Sequence, residues 1–155
     1  MRKQFAELLH TIMTENEKVI LLTADLGYGL FDKIRKDFPS RFYNVGASEQ
    51  LMIGVAVGLT YMGKVPVCYS ITPFLLYRPF EMIRNYVNHE KAPVKLIGGG
   101  RNKDYAHDGF THHAEDDTAI MANFKNITFV KQDDFTGVKD HILSDEPVYI
   151  NLIRV

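Results

Sequence analysis

The chain has 155 residues, a formal charge of −1 and an apolar fraction of 46%, which suits one globular domain of common size and excludes a disordered or fibrous chain. No stretch of Lys and Arg forms a basic patch, so nucleic acid is not an expected partner. No apolar run reaches the roughly 18–20 residues of a bilayer span, and Met1-Arg2-Lys3-Gln4-Phe5 opens no signal-peptide core, so no membrane is expected and the expected compartment is the cytoplasm.

Phe5, Leu8, Leu9, Ile12 and Met13 recur at three- and four-residue spacing and predict an amphipathic helix from Arg2 to about Glu15. Val19 to Ala24 is a continuous apolar run, the pattern of a strand buried on both faces of a parallel sheet. Asp25-Leu26-Gly27-Tyr28-Gly29 then falls at the carboxyl end of that strand, the edge where open α/β sheets bind ligands. A short helix is predicted over Leu30 to Phe38, stopped by Pro39, and a short strand over Phe42 to Val45. The next helix runs from Ser48 to about Met62, with glycines and alanines suited to close packing and Gly63 ending it. Val65 to Ser70 is a third strand, in which the single cysteine, Cys68, reads as a small buried hydrophobe.

Ile71 to Leu76 reads as a loop or helix entry, Tyr77 to His89 as a longer helix and Val94 to Ile97 as a fourth strand. Gly98-Gly99-Gly100 reads as a flexible strand exit, since no Walker lysine pattern marks a phosphate loop. Arg101 to His113 is polar and histidine-rich, as suits a functional loop. A helix over Ala114 to Phe124 with Asp116 and Asp117 in its first turn, a strand over Ile127 to Val130, a helix over Asp134 to Leu143 and a strand over Pro147 to Ile153 complete the alternation. The expected fold is α/β: a doubly wound, mostly parallel sheet of about six strands with helices on both faces.

Glu49 opens the Ser48 helix directly after a glycine turn, and two readings stand open. It is either a carboxylate that stabilises the positive end of the helix by roughly 0.3–1 kcal/mol, with Ser48 as N-cap, or a buried acid aimed at a ligand. Charged first turns are ordinary, so the local sequence by itself favours the first.

The run Val45-Gly46-Ala47-Ser48-Glu49-Gln50-Leu51-Met52-Ile53-Gly54 resembles the segment of transketolases and their relatives that carries the glutamate shared by nearly all thiamine-diphosphate enzymes. Asp108-Gly109-Phe110-Thr111-His112-His113 is similar to their Asp-Gly-Pro-Thr-His loop, with Phe110 in place of proline. Tyr77 to Arg84 is similar to the helix after the third strand of that family, and Ala24-Asp25-Leu26 to the Ala-Asp-Leu that ends the first. Order and spacing agree over most of the chain, so residues 1–155 resemble a single pyrimidine-binding domain of the transketolase type.

The resemblance implies thiamine diphosphate as cofactor, with Glu49 as the catalytic acid hydrogen-bonded to N1′ of the aminopyrimidine. It places Asp25 and the aromatic residues Tyr69, Phe74 and Tyr77 beside the cofactor, and leaves Arg78 as either a structural partner at a helix start or a ligand contact. It implies Asp108, His112 and His113 as contacts to a sugar or sugar-phosphate substrate, with His112 also catalytic. Nothing resembles the Gly-Asp-Gly…Asn stretch with which the family's preceding domain holds magnesium and diphosphate. Mg2+ is therefore expected mainly on a separate diphosphate-binding-domain subunit, in an α2β2 heterotetramer, with the carboxy-terminal domain also outside this chain. The implied activity is transfer of a two-carbon ketol unit between sugars or sugar derivatives. A β-type subunit related to 2-oxoacid dehydrogenase or deoxyxylulose-phosphate synthase, and a non-catalytic assembly partner, are the alternatives.

Overall fold

In the computed structural model, which describes residues 1–131 and 135–154, helix and strand alternate along the chain. The elements are α1 (Arg2–Glu15), β1 (Val19–Thr23), α2 (Asp32–Asp37), β2 (Phe42–Asn44), α3 (Glu49–Tyr61), β3 (Val65–Ile71), α4 (Thr72–Tyr77), α5 (Phe80–Met82), β4 (Lys95–Gly99), α6 (Asp117–Met121), β5 (Thr128–Val130), α7 (Val138–Leu143) and β6 (Val148–Leu152). All strand pairs are parallel, in the order β2-β1-β3-β4-β6-β5. The chain goes from β1 outward to β2 and then returns past β1 to β3. The switch point of the sheet therefore lies between β1 and β3, the position that opens a crevice at the strands' carboxyl ends.

Two apolar layers hold helices to the sheet, and the period of two along the strands divides the side chains between them. Leu21, Val67, Ile97 and Ile150 face α1, α2 and α7, where Phe5, Leu9, Ile34 and Ile142 meet them. Leu22, Cys68, Leu96 and Tyr149 face α3, α4 and α6 on the other side, against Met52, Leu75 and Met121. The inner strands β1, β4 and β6 are buried at every residue, which explains their mainly apolar sequences; Lys95 of β4 and Asn151 of β6 are buried polar exceptions. The two edge strands β2 and β5 are only three residues long, a length that limits pairing with other chains.

Several local expectations change. The helix after the third strand starts earlier, at Thr72, because Pro73 occupies its first turn, where a missing N–H costs nothing. It breaks at Pro79, and the segment beyond α5 continues as a π-helix over Ile83–His89. Gly98 and Gly99 are strand residues and not a flexible exit. A Cβ on Gly99 would lie 2.5 Å from the Tyr69 hydroxyl, and one on Gly98 would lie 2.5 Å from Thr72 Oγ1, so close approach requires both glycines. The helix of the 114–124 segment is confined to α6. The expected start of the last helix at Asp134 lies outside the described residues, and its described part is α7.

Candidate functional site

Ser48 occupies the N-cap position of α3, but its side chain makes no capping hydrogen bond. Glu49, the first residue of α3, is buried with 2% of its surface exposed. Its Oε1 accepts from Ser70 Oγ at 3.1 Å, and Arg78 Nη1 donates to Oε1 at 3.0 Å and to Oε2 at 2.9 Å. An acid held this way is buried inside the domain and is not a surface charge at a helix end. Ser70 stands near the carboxyl end of β3, and Arg78 follows the last residue of α4, so three elements converge on one carboxylate.

Arg78 continues the site outward. Its Cζ lies 3.8 Å from the centroid of the Phe74 ring, a cation–π contact. The Phe74 ring packs edge-on against His112, with centroids 4.9 Å apart. Pro73, Phe74, Tyr77, Arg78, Phe110 and His113 line a cleft of about 410 Å³ beside this stack. Partial burial, with help from the hydrogen-bonded Asp116 carboxylate, pushes the Tyr77 hydroxyl up to about 12, so Tyr77 enters the cleft as a neutral donor or acceptor.

Not every expected residue joins that group. Tyr69 is buried in the opposite core layer, edge-on to Phe31 with centroids 4.9 Å apart. The strand alternation that brings Ser70 to Glu49 sends Tyr69 to the far face. Asp108 is exposed and pairs with His107 at 3.2 Å. His113 Nδ1 stands 3.8 Å from Glu115, and the His113 ring packs on Phe110 at 5.8 Å between centroids. Asp25 sits at φ 55°, a left-handed conformation that Asp tolerates better than most residues. It accepts a hydrogen bond from the Tyr28 hydroxyl, which together with Asn44 holds its carboxyl below the usual range.

Four features escaped the sequence. Arg78 was visible only as one of two possibilities, and its pairing with Glu49 spans 29 positions. Asn44 Oδ1 accepts the backbone N–H of Asp25 at 2.9 Å and of Gly46 at 3.0 Å, tying the β1 exit to the turn before Glu49. Arg101 and Asp117, at the two ends of the histidine loop, are both fastened to Asn151 of β6. Arg101 Nε and Nη2 donate to the Asn151 carbonyl at 3.0 and 2.7 Å, and Asn151 Nδ2 donates to Asp117. Finally, Arg2 and Arg154 flank Tyr105: Arg2 Nη1 donates to its hydroxyl at 2.8 Å, and Arg154 Cζ lies 4.6 Å from its ring. Both arginines line a second cleft, of about 720 Å³, together with Gly27, Tyr28 and Gly29.

A buried acid at a helix start, aromatic faces and an imidazole-bearing loop thus meet at the carboxyl edge of a parallel sheet, and the sequence relationship decides what they belong to. Residues 1–149 match the family described as transketolase, pyrimidine binding domain. The chain belongs to this family. A protein of Methanocaldococcus jannaschii named as a transketolase C-terminal section is 34% identical over 99% of this chain and 50% of its own length. A protein of Clostridium sp. (strain MSTE9) named as a 6-deoxy-6-sulfo-D-fructose transketolase subunit is 31% identical over 99% of the chain and 49% of its own. The solved structure of a split gene transketolase, described as an inactive beta4 tetramer, superposes with a TM-score of 0.85 at 31% identity, covering 99% of this chain and 50% of that one. The pyrimidine-binding domain described here thus spans about half the length of these relatives.

Whether its residues fit an aminopyrimidine is a question of donors. The carboxylate of Glu49 and the face of Phe74, both in contact with the Arg78 guanidinium, suit a planar nitrogen heterocycle and not a hard cation needing six or more oxygens. Among the described residues, no group of three or more His, Cys, Asp or Glu side chains is arranged to hold a metal ion.

Proposed function

We propose that this chain is the pyrimidine-domain subunit of a split, thiamine-diphosphate-dependent transketolase-like enzyme that moves a two-carbon ketol unit between sugars or sugar derivatives. The observation that carries the proposal is the buried Glu49 carboxylate at the start of α3, facing the sheet edge through Arg78. When bound, thiamine diphosphate supplies a carbanion-stabilising centre that the twenty side chains lack. Glu49 holds a proton at N1′ of the aminopyrimidine, a task that requires a group able to give and take a proton and that an amide cannot perform. Ser70 keeps one carboxylate oxygen oriented. Phe74 and Tyr77, which line the cleft, would wall the ring, and Asp25, just past the end of β1, is assigned to the cofactor as well.

Asp108, His112 and His113 sit on the loop fastened at both ends to β6, and they take the sugar oxygens. Imidazole can donate to such an oxygen in either charge state near neutral pH, which fits His112, packed on Phe74, for the catalytic end of the sugar. The Arg2 and Arg154 guanidinium groups line the second cleft and suit an acidic substituent such as phosphate there.

The diphosphate and Mg2+ are assigned mainly to a partner subunit carrying the diphosphate-binding domain, in an α2β2 assembly. α3 supports the need for a partner. It is apolar on all sides, and Leu51, Val55 and Met62, along one face and just past its end, are exposed at 55%, 38% and 73%. A helix without a polar face is normally covered. The test is to titrate thiamine diphosphate with Mg2+ into the chain alone and into its complex with the diphosphate-domain subunit. Binding is expected in the complex only, and Glu49→Gln is expected to lower turnover there by about a hundredfold or more. Near-normal turnover of that variant would overturn the cofactor assignment.

A further inference from the structure

Glu49 does not meet the cleft directly. Its side chain is 1% exposed, whereas that of Arg78, in front of it, is 46% exposed and lines the cleft. The same guanidinium donates to both carboxylate oxygens and covers the Phe74 ring at 3.8 Å. A planar group that presents N–H to the acid and its face to an aromatic ring is also the description of an aminopyrimidine seated against Glu49. We propose that Arg78 is a built-in plug. Its guanidinium occupies the aminopyrimidine's place in the cofactor-free domain, and loading requires it to swing out to solvent. The inference rests on the thiamine-diphosphate reading of the site.

Physical chemistry favours both positions of the plug. A buried carboxylate without a partner is strongly destabilising, so the empty domain needs a counter-ion at Glu49. The guanidinium is a suitable one because it is weakly hydrated, planar and able to stack. Its half-exposed position gives it water to return to, and the side chain can turn while the backbone stays between α4 and Pro79. Departure frees the acid and the aromatic face together, since one group covers both.

The plug is tested first without cofactor. In urea unfolding of the full chain, E49Q, R78M and E49Q/R78M form a double-mutant cycle. A coupling of roughly tenfold in the unfolding constant is expected between the two residues. Additive effects would overturn the pairing. If R78M, which leaves the buried carboxylate unpaired, does not fold, the cycle is closed instead with R78K and E49Q/R78K.

Loading is then followed by calorimetry and stopped-flow circular dichroism, with thiamine diphosphate and Mg2+ added to the complex with the diphosphate-domain subunit. R78Q and R78K are expected to load roughly tenfold faster than wild type, because a larger fraction of the domain is open. In wild type, the Arg78 guanidinium NMR signal should shift from slow to fast solvent exchange on loading. Equal or slower loading by both variants, with wild type still binding, would overturn the plug and leave the cofactor assignment standing. No binding by any of the complexes would overturn both.

Discussion

Asn44 holds Asp25 from two sides: its Oδ1 accepts the Asp25 backbone N–H at 2.9 Å, and its Nδ2 lies 3.4 Å from the Asp25 carboxylate. The same Oδ1 takes the Gly46 N–H at 3.0 Å, so one side chain joins the two turns that present Asp25 and Glu49. These contacts help hold the left-handed backbone of Asp25.

Asn44→Ala is therefore expected to cost about 1–2 kcal/mol of stability. It should also speed hydrogen exchange selectively at the Asp25 and Gly46 amides. Exchange at the centre of β3 should change no more than global stability requires. Unchanged protection at the two turns would show that the backbone holds them without Asn44.

Gly99→Ala should be harmful in spite of its small volume. The added Cβ would meet the Tyr69 hydroxyl at 2.5 Å and its Cζ at 3.0 Å, and Tyr69 is itself wedged against Phe31. Overpacking of this kind costs about 1–3 kcal/mol. Thermal unfolding of the variant measures it. Gly29→Ala is a useful contrast, since a Cβ there meets nothing within 4 Å and only its positive φ resists the change. A larger loss at Gly29 than at Gly99 would contradict the packing argument.

Lys95 predicts a pH dependence. It is fully buried on β4, and its Nζ donates to the Ser144 carbonyl at 2.7 Å, the Ser144 hydroxyl at 3.2 Å and the Glu146 carbonyl. Burial lowers its pKa to about 8, with Asp145 and Glu146 opposing. Between about pH 8 and the ordinary lysine value of 10.5 the unfolded chain binds more protons than the folded one, so stability rises with pH across that window. K95M should abolish the rise. By leaving the two carbonyls unpaired, it should also cost about 1–3 kcal/mol at neutral pH. Urea midpoints from neutral pH to the upper end of the window measure both effects, and parallel profiles for the two proteins would contradict the assignment.

The order of strands and helices was legible in the sequence because apolar runs of strand length and three- to four-residue periodicity are local consequences of burial. The Glu49 turn and the Asp108 to His113 loop were legible because their residues are contiguous. The tertiary structure decided what those residues touch. In a strand buried on both faces, no alternation of polarity marks which side chain faces which layer. That is why Tyr69 and Ser70 could not be assigned to their sides in advance, although one lies in the α1 layer and the other holds Glu49. The Glu49 to Arg78 pair, the Asn44 bridge and the fastening of Arg101 to Asn151 join positions 29, 19 and 50 residues apart. Such contacts follow from where the strands end in space, a property of the assembled sheet that no segment of the chain contains alone.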